Sequence, residues 1–207
     1  MLSQAEKGGV QNTIQNCVTV LQNDPVLADS IRLNLLSERI DIVKPMGWQR
    51  SGPTRTDTDM MYILRRMEKY GLYSEKRVSA AIRIVANENH YHPIRDYLND
   101  LKWDGTERIS HALHRFLGAA EDELTAEALK IFLLGAIKRV FHPGCKFEMM
   151  LCLVGGQGAG KSSFFRLLAI KDEWFSDDLR RLDDDNVFRK LQGHWIMEMS
   201  EMIATAN

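Results

Sequence analysis

The chain has few cysteines and no long apolar run. Cys17, Cys145 and Cys152 are its only three and form no CxxC pair. An odd, scattered set of thiols suits a reducing compartment and argues against a disulfide framework. The longest apolar runs, Ile131–Ala136 and Met149–Val154, are far too short to cross a bilayer. Met1–Lys7 lacks the apolar stretch of a signal peptide. These absences lead us to expect a soluble, cytoplasmic protein with no membrane association. Charge of one sign is missing too. A net charge of −1 supplies no global attraction to nucleic acid, so any such contact must come from a local patch. What is present is 207 residues with 44% hydrophobic content, enough to bury a real core in one or two domains.

Periodicity predicts mostly helix through the first 145 residues. Ile14, Val18 and Leu21 share one helical face before Asp24-Pro25. Residues 31–43 alternate loosely and end in β-branched residues, as strands or a hairpin would, and the Gly- and Pro-containing stretch 45–53 reads as a loop. Thr56–Asp59 supplies caps for a helix carrying Met60, Ile63, Leu64 and Met67, with Gly71 closing it. Ser74 is a candidate cap for the next helix, and Pro93 can open a third. Helices over 106–117 and 121–140 complete the run, stopped by His142-Pro143-Gly144.

The texture changes near residue 146. Met149–Val154 reads as a buried parallel strand, 161–169 and 184–191 as helices, and 194–199 as a second buried strand ending in acids. We therefore expect a mixed α/β protein. A mainly helical N-terminal domain (25–145, after a helical extension over 1–24) precedes the first half of a P-loop NTPase α/β domain, AAA+-like, over 146–207 and C-terminally incomplete.

The chemistry concentrates in one loop. Gly155, Gly156, Gln157, Gly158, Ala159, Gly160, Lys161 and Ser162 satisfy GxxxxGK[ST], the Walker A pattern, and Ser163 follows. Glycines let successive N–H groups wrap a phosphate, and the helix that starts at Lys161 aims its positive end at the same oxygens. Lys161 supplies a cation for the outer phosphates, and Ser162 a hydroxyl ligand for Mg²⁺. An accidental Gly-rich turn would lack the apolar run before the loop and the helical pattern after it. The expected ligands are ATP and Mg²⁺. Hydrolysis also needs an acid at a neighbouring strand tip. Glu198 and Glu201 both qualify; the odd spacing would set them on opposite faces of a strand, but a turn already begun at Ser200 lets both reach the site, and Glu201 is the favoured metal-side acid.

Other constellations read more blandly. His90 with His92, and His111 with His114, have no third ligand at metal spacing. Trp103-Asp104-Gly105 reads as a turn anchored by a buried indole rather than as a catalytic aspartate, and Asp183–Asp185 as N-cap charge. Arg50, Arg55, Arg65, Arg66, Lys69, Lys76, Arg77, Arg83, Arg180 and Arg181 offer diffuse support for DNA contact.

Several linked motifs resemble the virulence-associated protein E family, phage and pathogenicity-island P-loop ATPases related to superfamily 3 helicases. They are Tyr91-His92-Pro93-Ile94-Arg95-Asp96-Tyr97-Leu98, Trp103–Arg108, Pro143–Lys146, the glycine loop with Ser163–Ala169, Trp174-Phe175-Ser176-Asp177, and Leu191–Glu201. The resemblance covers most of the chain from about residue 25. It implies a replication or mobilisation ATPase acting on DNA beside a primase or other replication partner, a homo-oligomer in the complete protein. It also implies that Lys161 and Ser162 hold phosphate and Mg²⁺, and that Glu201 is the Walker B-like acid. The later sensor residue and arginine finger of such helicases have no counterpart before Asn207, so we expect a fragment or a shortened relative. A non-catalytic nucleotide-binding module or replication inhibitor is the alternative. A small-molecule kinase fits less well, because only 45 residues follow the loop.

Overall fold

The computed structural model describes residues 2–4, 8–179 and 187–199. These form a mixed α/β, helix-rich protein with eight α-helices and two two-stranded sheets among the described residues. The chain divides between Pro93 and Ile94 into two compact units. The boundary read from the sequence at residue 145 lies inside the second of them. None of the described helices is long and apolar enough to cross a membrane.

In the first unit, α1 (Ile14–Asn23) starts where the Thr13 side chain accepts a hydrogen bond from the Asn16 N–H. Strands β1 (Ile31–Asn34) and β2 (Arg39–Ile42) pair antiparallel with Ile31 opposite Ile42. That register turns Ile31, Leu33, Ile40 and Ile42 toward one face, where they join the core. Helix α2 (Asp57–Met67) opens on a capping box, Thr56 with Asp59, and passes through a 3-10 turn, Glu68–Tyr70, to Gly71. Gly71 has φ +75°, a left-handed conformation that glycine adopts without a Cβ clash. Helix α3 (Glu75–Glu88) packs Val78, Ile82 and Val85 against α1 and the hairpin. Contrary to expectation, the Ser74 side chain makes no capping bond.

Helix α4 (Pro93–Asp100) starts at the division between the units. In the second unit, α5 (Ile109–Leu117) packs on α6 (Glu123–Phe141). Leu113, Leu129 and Phe164 form the buried centre there, Phe164 coming from α7 (Lys161–Leu168). Gly135 of α6 lets the Phe147 ring lie directly on the helix; a Cβ there would fall 2.1 Å from that ring. Strand β3 (Phe175–Ser176) pairs parallel with β4 (Ile196–Met197), and α8 (Val187–Leu191) lies between them in sequence. Bonds from the Trp195 N–H to the Trp174 carbonyl and from the Glu198 N–H to the Ser176 carbonyl extend this pairing at both ends.

One sequence expectation fails here. Met149–Val154 is not a strand, and Val154 is 99% exposed. A buried parallel strand needs ladder partners, and among the described residues the only pair of parallel strands is β3 with β4. A full P-loop sheet is therefore not formed by these residues. The expected helix over 184–191 is present from Val187; its first three residues lie outside the described ones.

Candidate nucleotide site

The glycine loop lies between the irregular stretch 149–154 and the N-terminus of α7. Gly158 and Gly160 have φ of +79° and +80°, values that a side chain would make costly, and Gly160 is the N-cap of α7. Ideal Cβ atoms on Gly155, Gly156 and Gly158 would meet nothing within 4 Å, so the loop is open on its outer side. With glycine as its N-cap, α7 has no side-chain acceptor for its first N–H groups, which suits an anionic ligand. Lys161 folds its ammonium over the loop and donates to the carbonyls of Gly155 and Gly156 at 2.9 and 2.8 Å.

Ser162 donates to Oε1 of Glu198 at 2.7 Å, although 36 residues separate the two in sequence. The β3–β4 pairing makes this contact, because it holds the backbone of Glu198 against Ser176 beside the start of α7. The other carboxylate oxygen of Glu198 is buried and has no hydrogen-bond partner among the described residues. Glu201, the favoured acid on sequence grounds, lies outside the described residues.

A cavity of about 760 Å³ extends from the loop. Its polar side chains are Gln157, Lys161, Ser162, Ser163 and Glu198; the rest of its lining is apolar and includes Phe132, Leu151, Leu153, Phe165 and Met197. Sequence reasoning missed this apolar half. Phe165 was within reach of it, since it falls one turn after Lys161 on the same face of α7. Phe132 arrives from α6, 29 residues before Lys161, and no local pattern signals it.

The remaining candidates are accounted for by ordinary contacts. Asp104 accepts from Arg108 at 2.6 and 2.9 Å, which together with the Thr106 N–H holds its carboxyl below the usual carboxylate range. The neighbouring Trp103, expected to be buried, is 82% exposed. This turn is closed by the Asp104–Arg108 pair rather than by indole burial. His111 and His114 both face Glu121, at 3.0 and 3.9 Å, an acid that lies outside the local spacing pattern. Among the described residues no group of three or more His, Cys, Asp or Glu side chains is arranged to hold a metal ion. Of the basic residues, Arg50 pairs with Asp59, Arg66 with Asp24, and Arg77 bonds the Asn12 carbonyl. Arg65, Lys69, Lys76 and Arg83 are exposed on α2, the 3-10 turn that follows it, and α3. Asp183–Asp185, Arg180 and Arg181 lie outside the described residues.

Residues 98–207 match the family model of the virulence-associated protein E-like domain. Comparison with curated proteins finds no match.

Proposed function

The chain belongs to the virulence-associated protein E-like family, and from that premise we propose that its glycine loop binds ATP with Mg²⁺ as the nucleotide site of a DNA-replication-associated ATPase of a phage or mobile element. The observation that carries the reading is the Ser162–Glu198 hydrogen bond beside Lys161 at the mouth of an open glycine loop. An open, glycine-lined backbone next to a helix N-terminus is what a polyphosphate requires. The donor set also fits a hard cation, which takes oxygen ligands and shares them with phosphate. Ser162 contributes a hydroxyl and Glu198 a carboxylate with one buried, unpartnered oxygen. Bound Mg²⁺ would neutralise phosphate charge there.

On this reading Lys161 exchanges two neutral carbonyl acceptors for anionic phosphate oxygens, so that its cation meets opposite charge. Gly158 and Gly160 keep the backbone close enough to direct N–H groups at the same oxygens. Glu198 is the carboxylate whose position supports a metal-side role; the assignment of Glu201 rests on the sequence reading and the family resemblance. The exposed Arg65, Lys69, Lys76 and Arg83 are the cations we propose for DNA contact. Assembly into a homo-oligomer and work beside a primase are proposed on the resemblance alone.

The test is binding and turnover of Mg²⁺–ATP by the full chain, with and without single-stranded DNA, against Lys161→Ala. We expect DNA-stimulated turnover that disappears in the variant. Binding without turnover would leave a nucleotide-binding module and remove the ATPase. Absence of binding, or equal binding by Lys161→Ala, would overturn the proposal.

A further inference from the structure

The cavity lining is chemically of two kinds, and only the polar one is accounted for by phosphate and metal. Its polar side chains, Gln157, Lys161, Ser162, Ser163 and Glu198, all belong to the loop, the first turn of α7 or the end of β4. Away from them the wall is apolar. Two aromatic rings stand in it, Phe132 from α6 and Phe165 from α7, with centroids 5.8 Å apart and planes inclined at 63°. Both are half-buried rather than sealed in the core. An edge-to-face pair of this kind forms a corner, and both rings contribute to the cavity lining.

A ligand that fills the whole cavity needs an anionic part for the polar lining and an apolar part for the rest. Helix geometry sets the separation. Phe165 follows Lys161 by four residues, so their side chains lie on one face of α7, one 5.4 Å turn apart along the axis. Phosphate held at Lys161 leaves the attached ribose and base within reach of that face.

We propose that Phe132 and Phe165 form the nucleobase subsite of this cavity and hold the base by stacking, so that the site selects for ring size rather than for the hydrogen-bonding edge. The proposal rests on the reading of the glycine loop as a phosphate cradle. Its chemical content is separate. A stacked base is held in proportion to the apolar area that it covers, which favours the two-ring purines over pyrimidines. Discriminating adenine from guanine takes polar groups matched to one edge, and the loss of such a match is what yields large specificity ratios. Among the described residues that line the cavity, Gln, Ser, Lys and Glu side chains come only from the loop, the first turn of α7 and Glu198, the groups assigned to phosphate and metal. The substrate class is thus purine nucleoside triphosphates with adenine and guanine treated alike.

The experiment is calorimetric titration of the full chain, in Mg²⁺, with ATP, GTP, CTP, UTP and inorganic triphosphate. The variants are Phe132→Leu, Phe132→Ala and Lys161→Ala, each checked for an unchanged thermal midpoint. Phe132→Leu keeps an apolar side chain in the wall and guards against an Ala variant that fails to fold. We expect ATP and GTP to bind within about threefold of one another, with CTP and UTP about fivefold weaker. Phe132→Leu should weaken ATP about tenfold, the order that loss of one aromatic–base contact gives, and leave inorganic triphosphate unchanged. A preference for ATP over GTP beyond about thirtyfold would overturn the proposal, because edge contacts worth about 2 kcal/mol would then be reading the base. Equal weakening of ATP and inorganic triphosphate by Phe132→Leu, or no weakening of either, would also overturn it. In those cases triphosphate binding that Lys161→Ala abolishes leaves the phosphate-loop reading standing. If the wild-type chain binds neither ATP nor triphosphate, both readings fall together.

Discussion

Asp24 is a buried carboxylate that must stay charged. Burial pushes its pKa up, but hydrogen bonds from Arg66, the Tyr70 hydroxyl and the N–H groups of Val26 and Leu27 outweigh that and bring it below the ordinary value. Asp59 behaves in the same way: burial opposes its charge, while Arg50, Trp48 and Thr56 hold its carboxyl well below the usual range. A carboxyl with a folded pKa below its unfolded value of about 3.9 adds stability above that pH and loses it as the pH falls through the folded pKa. The two acids therefore stabilise the first unit at neutral pH and cease to do so in acid. Asp24→Asn removes charge-assisted bonds and should cost about 2 kcal/mol at pH 7. Because the variant has nothing to titrate at this position, the gap in thermal midpoint between it and the wild type should close as pH falls from about 4 toward 2. Parallel midpoint curves across that range would show that the Asp24 charge contributes nothing.

At the scale of the element, the starts of α2 and α3 in the first unit make opposite predictions. Thr56 caps α2 through a reciprocal bond with Asp59, and Asp59 also ties the preceding loop through Trp48 and Arg50. Thr56→Ala should destabilise by about 1 kcal/mol. Ser74 precedes α3 without a capping bond, so Ser74→Ala should stay within about 0.5 kcal/mol of wild type. Denaturant midpoints with unchanged slope measure both, and equal losses would contradict the distinction. These starts also mark what can be read locally. Met60, Ile63 and Met67 recur at helical spacing and are buried, and the glycines that the loop motif requires take left-handed φ at Gly158 and Gly160. Met149–Val154 was not legible, because a continuous apolar run is the same string whether or not ladder partners exist for it. Nor could spacing choose between Glu198 and Glu201. What brings Glu198 to Ser162 is the pairing of Phe175 with Ile196, a contact between residues 21 apart that no local pattern encodes.

At the scale of the whole molecule, the division at Pro93 separates two kinds of dependence. The buried acids Asp24 and Asp59, with their partners, all lie before it; the glycine loop, the cavity and Glu198 all lie after it. A ligand that binds only the native state adds stability as RT ln(1 + [L]/Kd), about 2.7 kcal/mol at a hundredfold excess over Kd. That gain enters through the backbone that the ligand holds in place, and local opening elsewhere need not respond to it. Saturating Mg²⁺–ATP should therefore slow amide hydrogen exchange in peptides covering 149–168 and 194–199, and leave α2 and α3 at their ligand-free rates. Peptide-resolved exchange of the full chain, with Lys161→Ala as the control, reads both regions in one experiment. Slowing of α2 and α3 to the same degree would mean that the chain opens as one cooperative body, so that nucleotide bound at residue 161 stabilises the helices before Pro93 as strongly as its own loop.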